Sequence, residues 1–163
     1  IGRYLRYRRL PTRLCVAEPS GGAFAEGWRT GDRSAHASKS TLIEGIGRPD
    51  VEPGFLFEIV DKVCEVDDAA SIAATWLLEN PIGNRYGGSS GTNLVACLQL
   101  AAEMRERGES GSIVTLLGDR GERYRETLFD PDWLASRNIE LAPWLDVLKS
   151  AIETGKWKPK LAC

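Results

Sequence analysis

The sequence predicts a layered α/β protein built around a mostly parallel sheet. Segments with helical periodicity alternate with short, apolar, β-branched segments along the chain, and glycine-rich turns follow the ends of several of them. The length of 163 residues and a hydrophobic content of 42% are typical of a globular domain. Ligands of such folds bind beyond the carboxyl ends of the strands, so the glycine-rich turns are the first candidates for a functional site.

Charge and hydropathy argue against two classes of partner. The 21 basic and 23 acidic residues leave a net charge of −2, and the basic residues cluster only near the N-terminus. We therefore expect no nucleic acid as a partner. No run approaches the roughly 18 apolar residues of a membrane span, and the arginine-rich start lacks the apolar region of a secretory signal. We expect no membrane partner and a cytoplasmic location.

The cysteine and histidine residues do not form a metal-binding motif. The four cysteines are far apart in the sequence, and His36 is the only histidine. We interpret the cysteines as reduced thiols and expect no metal site in this chain. Those cysteines are Cys15, Cys64, Cys97 and Cys163.

The first half of the chain predicts two strands separated by a long loop region. Residues 3–10 favour the end of a helix stopped by Pro11, and residues 13–17 favour a short buried strand. Residues 28–40 are polar and predict a surface loop that becomes ordered on a ligand. Residues 44–49 form a tight glycine-rich turn.

After that turn, residues 55–60 predict a short helix and residues 62–66 a strand. Asp67 or Asp68 is a suitable N-cap for a helix that we expect to stop before Pro81.

The second half contains the clearest helix, which begins at Ser89 or Ser90 after a loop at residues 83–88. Its apolar residues recur at helical spacing and predict a core-facing stripe of Leu94, Cys97, Leu98, Ala101 and Met104. The β-branched run at residues 112–117 has the composition of a central parallel strand. Residues 143–155 predict a last amphipathic helix.

Three glycine-rich turns lie next to predicted element ends, at residues 45–47, 87–91 and 118–121. The second is the most informative, because it places free backbone N–H groups and two hydroxyl groups at the positive end of a helix dipole. An anion or a polar ring fits such a site. The alternative is an ordinary N-cap provided by Ser89 or Ser90.

The order and flanks of these turns resemble a known family. Glu44-Gly45-Ile46-Gly47 is followed by Gly88-Ser89-Ser90-Gly91-Thr92-Asn93 and by Gly118-Asp119-Arg120-Gly121-Glu122-Arg123-Tyr124. Together they resemble the fold-type II pyridoxal phosphate enzymes of the cysteine synthase and cystathionine β-synthase group, from Ile1 to about Trp133. The resemblance implies a three-layer sandwich of the tryptophan synthase β-like fold, of which only the C-terminal part is present.

In this interpretation residues 1–163 are a single α/β region, and the N-terminal half that bears the cofactor lysine is absent. The resemblance implies pyridoxal 5'-phosphate as cofactor and no catalytic residue in this chain, because the lysine and the main phosphate loop belong to the other half. It also implies a cofactor-binding set and a substrate-cleft pair. The first set is Arg120, Asp119, Gly88, Ser89 and Ser90, and the pair is Gly45 and Gly47.

Arg120 is a departure from the family pattern. It stands where the family usually has a serine opposite the pyridine nitrogen, and Gly118 stands at the family's proline. A serine leaves that nitrogen largely unprotonated, and an arginine, which has no acceptor, does the same. A shift of one residue brings Asp119 to the ring instead and favours protonation. The alternative for Arg120 is a structural ion pair with Glu122.

The implied chemistry is elimination or replacement at Cβ of cysteine, serine or O-acetylserine, with residues 28–40 and 44–49 more similar to cysteine desulfhydrases than to standard cysteine synthases. The implied partners are the missing N-terminal half or a partner chain, a small amino-acid substrate, and a second copy in a homodimer. A non-catalytic small-molecule or partner-binding module and an unrelated phosphate-handling enzyme are the alternatives.

Three further expectations follow. Gly45, Ser89 and Asp119 or Arg120 should line one cleft, and an apolar patch should be exposed where the other half is missing. The resident lysines should all be solvated and unsuited to a covalent bond with the cofactor; they are Lys39, Lys62, Lys149, Lys156, Lys158 and Lys160.

Overall fold

A computed structural model describes residues 1–159 of the chain, which divides after Val66 into two compact units. Unit 1 covers residues 1–66 and contains two strands, two α-helices and one 3-10 helix. Its elements are α1 (Gly2–Tyr7), β1 (Cys15–Pro19), α2 (Ala23–Thr30), a 3-10 helix (Phe57–Ile59) and β2 (Lys62–Val66). That residues 1–163 form a single α/β region stays a prediction.

The two strands of unit 1 pair in parallel, in the register Val16 with Val63 and Pro19 with Val66. Their β-branched residues favour this extended conformation. The connection between the strands folds its apolar residues into a small core, in which the Phe24 and Phe55 rings stack with their centroids 4.2 Å apart. The parallel strands confirm the predicted α/β class, and β2 has the predicted bounds.

Helix α2 is an element that the sequence interpretation missed, since it assigned Trp28 to the start of a surface loop. The buried carboxylate of Glu18 accepts hydrogen bonds from the backbone N–H groups of Phe24 (3.0 Å) and Ala25 (2.6 Å). These are among the N–H groups that a helix start leaves unsatisfied. The capping side chain precedes the helix by several residues and acts through the tertiary fold, so the local pattern did not predict it.

Unit 2 begins at Asp67 and is helical. Its elements are α3 (Asp68–Ile82), α4 (Gly88–Glu106), a 3-10 helix (Gly121–Tyr124), α5 (Pro131–Ser136) and α6 (Ala142–Thr154). Helix α3 packs against both α4 and α6. The predicted helices at these positions are confirmed for α3, α4 and α6, and Asp67 is the N-cap residue of α3 as predicted.

Helix α3 does not stop before Pro81 as predicted but continues to Ile82. Gly83 ends it in the left-handed conformation (φ 69°) and donates its N–H to the Glu79 carbonyl at 2.8 Å. A proline in the last turn removes only one helical hydrogen bond, so the glycine and not the proline sets the end of this helix.

The contact between α3 and α4 depends on Gly91. A Cβ atom at this position would collide with the Ser71 carbonyl oxygen and lie 2.9 Å from Thr75 Cγ2. Beside it, the buried hydroxyl groups of Ser71 and Thr92 are hydrogen-bonded at 2.8 Å. Gly91 therefore allows the close approach of the two helix backbones that fixes the start of α4.

The predicted strand at residues 112–117 is wrong for this chain. The segment has no regular secondary structure, and its side chains are exposed, to 89% at Val114 and 68% at Leu116. The Leu116 carbonyl accepts a hydrogen bond from the Asn93 side chain at 3.0 Å. The β-branched composition is that of a strand, but a strand also needs a neighbouring strand to receive its backbone hydrogen bonds.

Within the described residues, no helix has the length and apolar character needed to cross a membrane.

Candidate functional site

The start of α4 is the centre of the candidate site in unit 2. Gly87 is its N-cap residue, and no side chain caps the helix by a hydrogen bond. Ser90 is fully buried, and its Oγ accepts the N–H of Gly118 at 2.9 Å, while Ser89 remains half-buried. The alternative that Ser89 or Ser90 caps this helix with its side chain is therefore wrong. The Ser90 hydroxyl is hydrogen-bonded to the loop that contains Gly118 instead.

Backbone hydrogen bonds hold the segment before α4 against the segment around Asp119. The N–H of Gly87 donates to the Asp119 carbonyl at 2.9 Å, and the N–H of Gly121 donates to the Arg85 carbonyl at 2.9 Å. Tyr86 and Arg120 form an isolated antiparallel bridge between these two bonds. Two of the three glycine-rich turns are therefore brought together, although about 30 residues separate them in the sequence.

Asp119 is held by Tyr124. The Tyr124 hydroxyl donates to Asp119 Oδ2 at 2.7 Å, and an Arg123 guanidinium nitrogen lies 3.8 Å from the same oxygen. The Tyr124 side chain is buried and the Asp119 side chain is 41% exposed. The carboxylate thus has a fixed orientation with one side in solvent. Tyr124 belongs to the third glycine-rich motif, but the sequence pattern alone suggested no role for its hydroxyl.

Arg120 is oriented by Asn84. Its Nη1 donates to Asn84 Oδ1 at 3.0 Å, and the expected ion pair with Glu122 is not formed within the described part of the chain. Asn84 is a residue that the sequence analysis missed; its position in a loop next to Gly83 was the only available signal. Gly88, Ser89, Ser90, Asp119 and Arg120 thus all lie in one small region of unit 2.

The turn with Gly45 and Gly47 belongs to unit 1. Both glycines have positive φ values, 84° and 73°, that other residues rarely adopt. A Cβ atom on Gly47 would lie 2.6 Å from Thr41 Cγ2 and 3.3 Å from Pro19 Cγ. The glycine therefore keeps this turn close to the end of β1. That the turn shares one cleft with Ser89 and Asp119 stays a prediction.

Glu18 is a buried acid of unit 1, the second-last residue of β1. Only 2% of the residue is exposed, and burial raises the pKa of its carboxyl above the usual range, with a further contribution from the charge of Glu65. The hydrogen bonds from Phe24 and Ala25 act in the opposite direction. Its sequence signal, an acidic residue at the end of an apolar strand before two glycines, was not used.

The described lysines all have at least part of their surface in solvent. Lys39, Lys149, Lys156 and Lys158 are exposed, and Lys62 is half-buried in β2. Lys160 lies outside the described residues. A lysine that bonds covalently to a cofactor needs a desolvated or cationic environment. That the anchoring lysine lies outside this chain stays a prediction.

Similar known proteins agree on one family. Residues 1–119 match the family described as pyridoxal-phosphate dependent enzyme. The chain is 48% identical over 142 residues to L-cysteine desulfhydrase of Mycobacterium tuberculosis, which covers 87% of this chain and 39% of that protein. It is 30% identical over 151 residues to cysteine synthase 2 of Schizosaccharomyces pombe, covering 85% and 37% of the two chains.

A solved structure shares the fold. O-acetylserine sulfhydrylase isoform 3 from Entamoeba histolytica superposes with a TM-score of 0.65 at 24% identity, covering 92% of this chain and 40% of that one. The chain thus spans about two fifths of the length of these relatives. The resemblance on the three glycine-rich turns and the expected fold are confirmed.

Proposed function

Because the chain belongs to the family of pyridoxal-phosphate dependent enzymes, we propose that it is the C-terminal part of an enzyme that acts at Cβ of cysteine, serine or O-acetylserine. The observation that carries the proposal is the 48% identity to an L-cysteine desulfhydrase across 87% of the chain. Desulfhydrase chemistry, which removes sulfide from cysteine, is therefore favoured over cysteine synthesis.

The residues of unit 2 fit the polar ring edge of pyridoxal 5'-phosphate. The start of α4 offers the positive end of a helix of 19 residues, and Ser89 is half-buried beside it. Asp119 offers a carboxylate oriented by Tyr124, and Arg120 a guanidinium oriented by Asn84. These groups suit hydrogen bonds to a neutral or anionic heterocycle, but they provide neither a covalent anchor nor a complete phosphate site.

Pyridoxal 5'-phosphate, when bound, would supply the electron withdrawal that allows a substituent at Cβ to leave. The residues of this chain bind and orient. In the proposal Gly88 and Ser89 present backbone N–H groups and the Ser89 hydroxyl to the ring, and Asp119 or Arg120 sets whether its nitrogen is protonated. Ser90 supports this helix start from behind, because its Oγ accepts the Gly118 N–H and its own N–H donates to the Gly87 carbonyl. Proton transfer at Cα belongs to the lysine of the other half.

Gly45 and Gly47 form the proposed substrate side of the site. Gly45 has no side chain, so its exposed backbone is open to a small amino acid, and nothing lies within 4 Å of a Cβ atom placed on it. A substrate is thereby able to approach the turn closely. This role and its juxtaposition with unit 2 belong to the proposal.

The N-terminal half is the proposed partner of the exposed run at residues 112–117. This run has the composition of a strand, and Val114 and Leu116 are mostly exposed. A neighbouring strand from the other half would pair with its backbone and cover these side chains. We further propose that the complete enzyme is cytoplasmic and forms a homodimer. Light scattering on the joined protein tests the dimer.

The experiment compares the chain alone with the protein joined to a lysine-bearing N-terminal half of the family. Each sample is incubated with pyridoxal 5'-phosphate, reduced with borohydride and analysed by mass spectrometry. We expect a cofactor adduct only in the joined protein, on a lysine of the added half, with sulfide release when cysteine is supplied. An adduct on a lysine of this chain would refute the assignment.

A matched pair of variants in the joined protein tests the ring contacts. We expect Arg120→Ala to weaken cofactor binding by about tenfold, the size of one lost charged hydrogen bond, whereas Arg107→Ala at the end of α4 leaves it unchanged. Binding is measured by equilibrium dialysis. Equal affinities in the two variants would assign Arg120 to a purely structural contact with Asn84.

A further inference from the structure

Two cysteine thiols meet on the sheet of unit 1. Cys64 of β2 is in register with Ala17 of β1, so Cys15 lies two residues earlier on the same face of the sheet. The two Sγ atoms are 3.5 Å apart. Cys97, by comparison, belongs to α4 in unit 2.

The two thiols differ in their access to solvent. Cys15 is half-buried at the first position of β1, whereas Cys64 is buried, with 3% of the residue exposed. Access to solvent raises the reactivity of a thiol toward an oxidant. Cys15 is therefore the thiol that an oxidant in solution reaches first.

We propose that Cys15 and Cys64 form a redox-reactive dithiol site that closes to an intramolecular disulfide with a hydroperoxide. Cys15 is the attacking thiol and Cys64 the resolving thiol. The site goes beyond the proposed function and does not rest on it, since the reaction involves neither cofactor nor substrate of the enzyme.

The reaction balances in two steps. The Cys15 thiol first releases its proton, and the thiolate attacks the OH oxygen of the hydroperoxide, which becomes the hydroxyl of a sulfenic acid at Cys15. The O–O bond breaks, and the leaving alkoxide or hydroxide takes up the proton that the thiol released. The Cys64 thiol then attacks the Cys15 sulfur, and its proton leaves with the hydroxide as water. Two thiols are oxidised by two electrons, and the hydroperoxide is reduced to an alcohol, or to water when the oxidant is hydrogen peroxide.

Closing the bond needs a small movement of the two sulfur atoms. An S–S bond of about 2.05 Å requires them to approach by about 1.5 Å from their present separation. Leu14, directly before β1, accepts a hydrogen bond at its carbonyl from the Asp61 N–H (2.9 Å) and donates its own N–H to Asp61 Oδ2 (2.6 Å), so the approach has to come from the cysteine side chains and the strand residues themselves. Near the other end of β1, Glu18 accepts the N–H groups at the start of α2. A disulfide between Cys15 and Cys64 would therefore link the strand that carries this cap covalently to β2.

The test uses the full chain with Cys97→Ser and Cys163→Ser, so that only the proposed pair remains. The protein is treated with hydrogen peroxide, blocked with an alkylating reagent and digested with trypsin without reduction. We expect peptides 14–29 and 63–85 joined, with a mass lower than their sum by two hydrogen atoms. The same treatment in denaturing urea is the control, and there we expect at least about tenfold less of the joined species.

Single variants assign the roles. In Cys15→Ser we expect Cys64 to be oxidised at least about tenfold more slowly, because burial protects it, whereas Cys64→Ser leaves Cys15 to accumulate sulfenic acid that a dimedone probe captures. Over-oxidation of Cys15 in the folded protein without any joined peptide would overturn the proposal. Equal yields of joined peptides in the folded and urea-treated samples would also overturn it.

Discussion

Replacing Gly91 with alanine tests whether the contact between α3 and α4 determines the start of α4. In a helix that is free of tertiary contacts, alanine is more favourable than glycine by about 1 kcal/mol. Here the new methyl group would collide with the Ser71 backbone carbonyl, which is not able to rotate away as a side chain would. The sign of the effect therefore reports directly on the close approach.

The magnitude follows from the neighbours of the methyl group. Real Cβ atoms essentially never come within 3.0 Å of another heavy atom, so the two helices must separate by about 1 Å. Overpacking of this kind costs about 1–3 kcal/mol, and weakening the buried hydrogen bond between Ser71 and Thr92 adds about 1 kcal/mol. After the helix preference of alanine is taken into account, we expect Gly91→Ala to destabilise the chain by about 2 kcal/mol, a roughly 30-fold change in the unfolding equilibrium.

The assay is urea unfolding followed by tryptophan fluorescence, since Trp76 lies in α3. Gly54→Ala is the matched control, because nothing lies within 4 Å of a Cβ atom there. We expect the control to change the free energy of unfolding by less than about 1 kcal/mol. A Gly91→Ala protein as stable as the wild type, or more stable, would refute the close-contact argument.

Three further predictions concern the candidate site and its surroundings. Ser90→Ala removes the acceptor of the Gly118 N–H, so we expect faster hydrogen exchange at that amide and a loss of about 1 kcal/mol in urea unfolding; unchanged exchange would contradict the bond. Tyr124→Phe removes the hydrogen bond to the Asp119 carboxylate, and we expect a similar loss of stability; in a double-mutant cycle the same replacement should cost much less when Asp119 is already replaced by asparagine, and additive effects would contradict the bond. The raised pKa of Glu18 means that the unfolded chain releases this proton at lower pH than the folded chain, so the contribution of Glu18 to stability falls as pH rises above 4.5 and through its folded pKa. We expect the free energies of unfolding of wild type and Glu18→Gln, measured across this range, to converge as the pH is lowered. A difference that does not change with pH would show that the carboxyl is not perturbed.

The sequence was informative where local chemistry and the family pattern are sufficient. The alternation of short apolar runs with helical periodicity predicted β2 at its bounds, and the glycine and serine residues before Asn93 predicted the start of α4. The order of the glycine-rich turns identified the family. These features depend on residues near one another in the chain, so composition and spacing are enough to recognise them.

Tertiary structure decided the features that depend on distant residues. Helix α2 begins where the Glu18 carboxylate receives its N–H groups, and Arg120 is directed by Asn84 and not by Glu122. Residues 112–117 have the composition of a strand but are not one in this chain. A β-branched run prefers an extended backbone, yet hydrogen bonds to a neighbouring strand make it part of a sheet, and the location of that neighbour is a property of the fold.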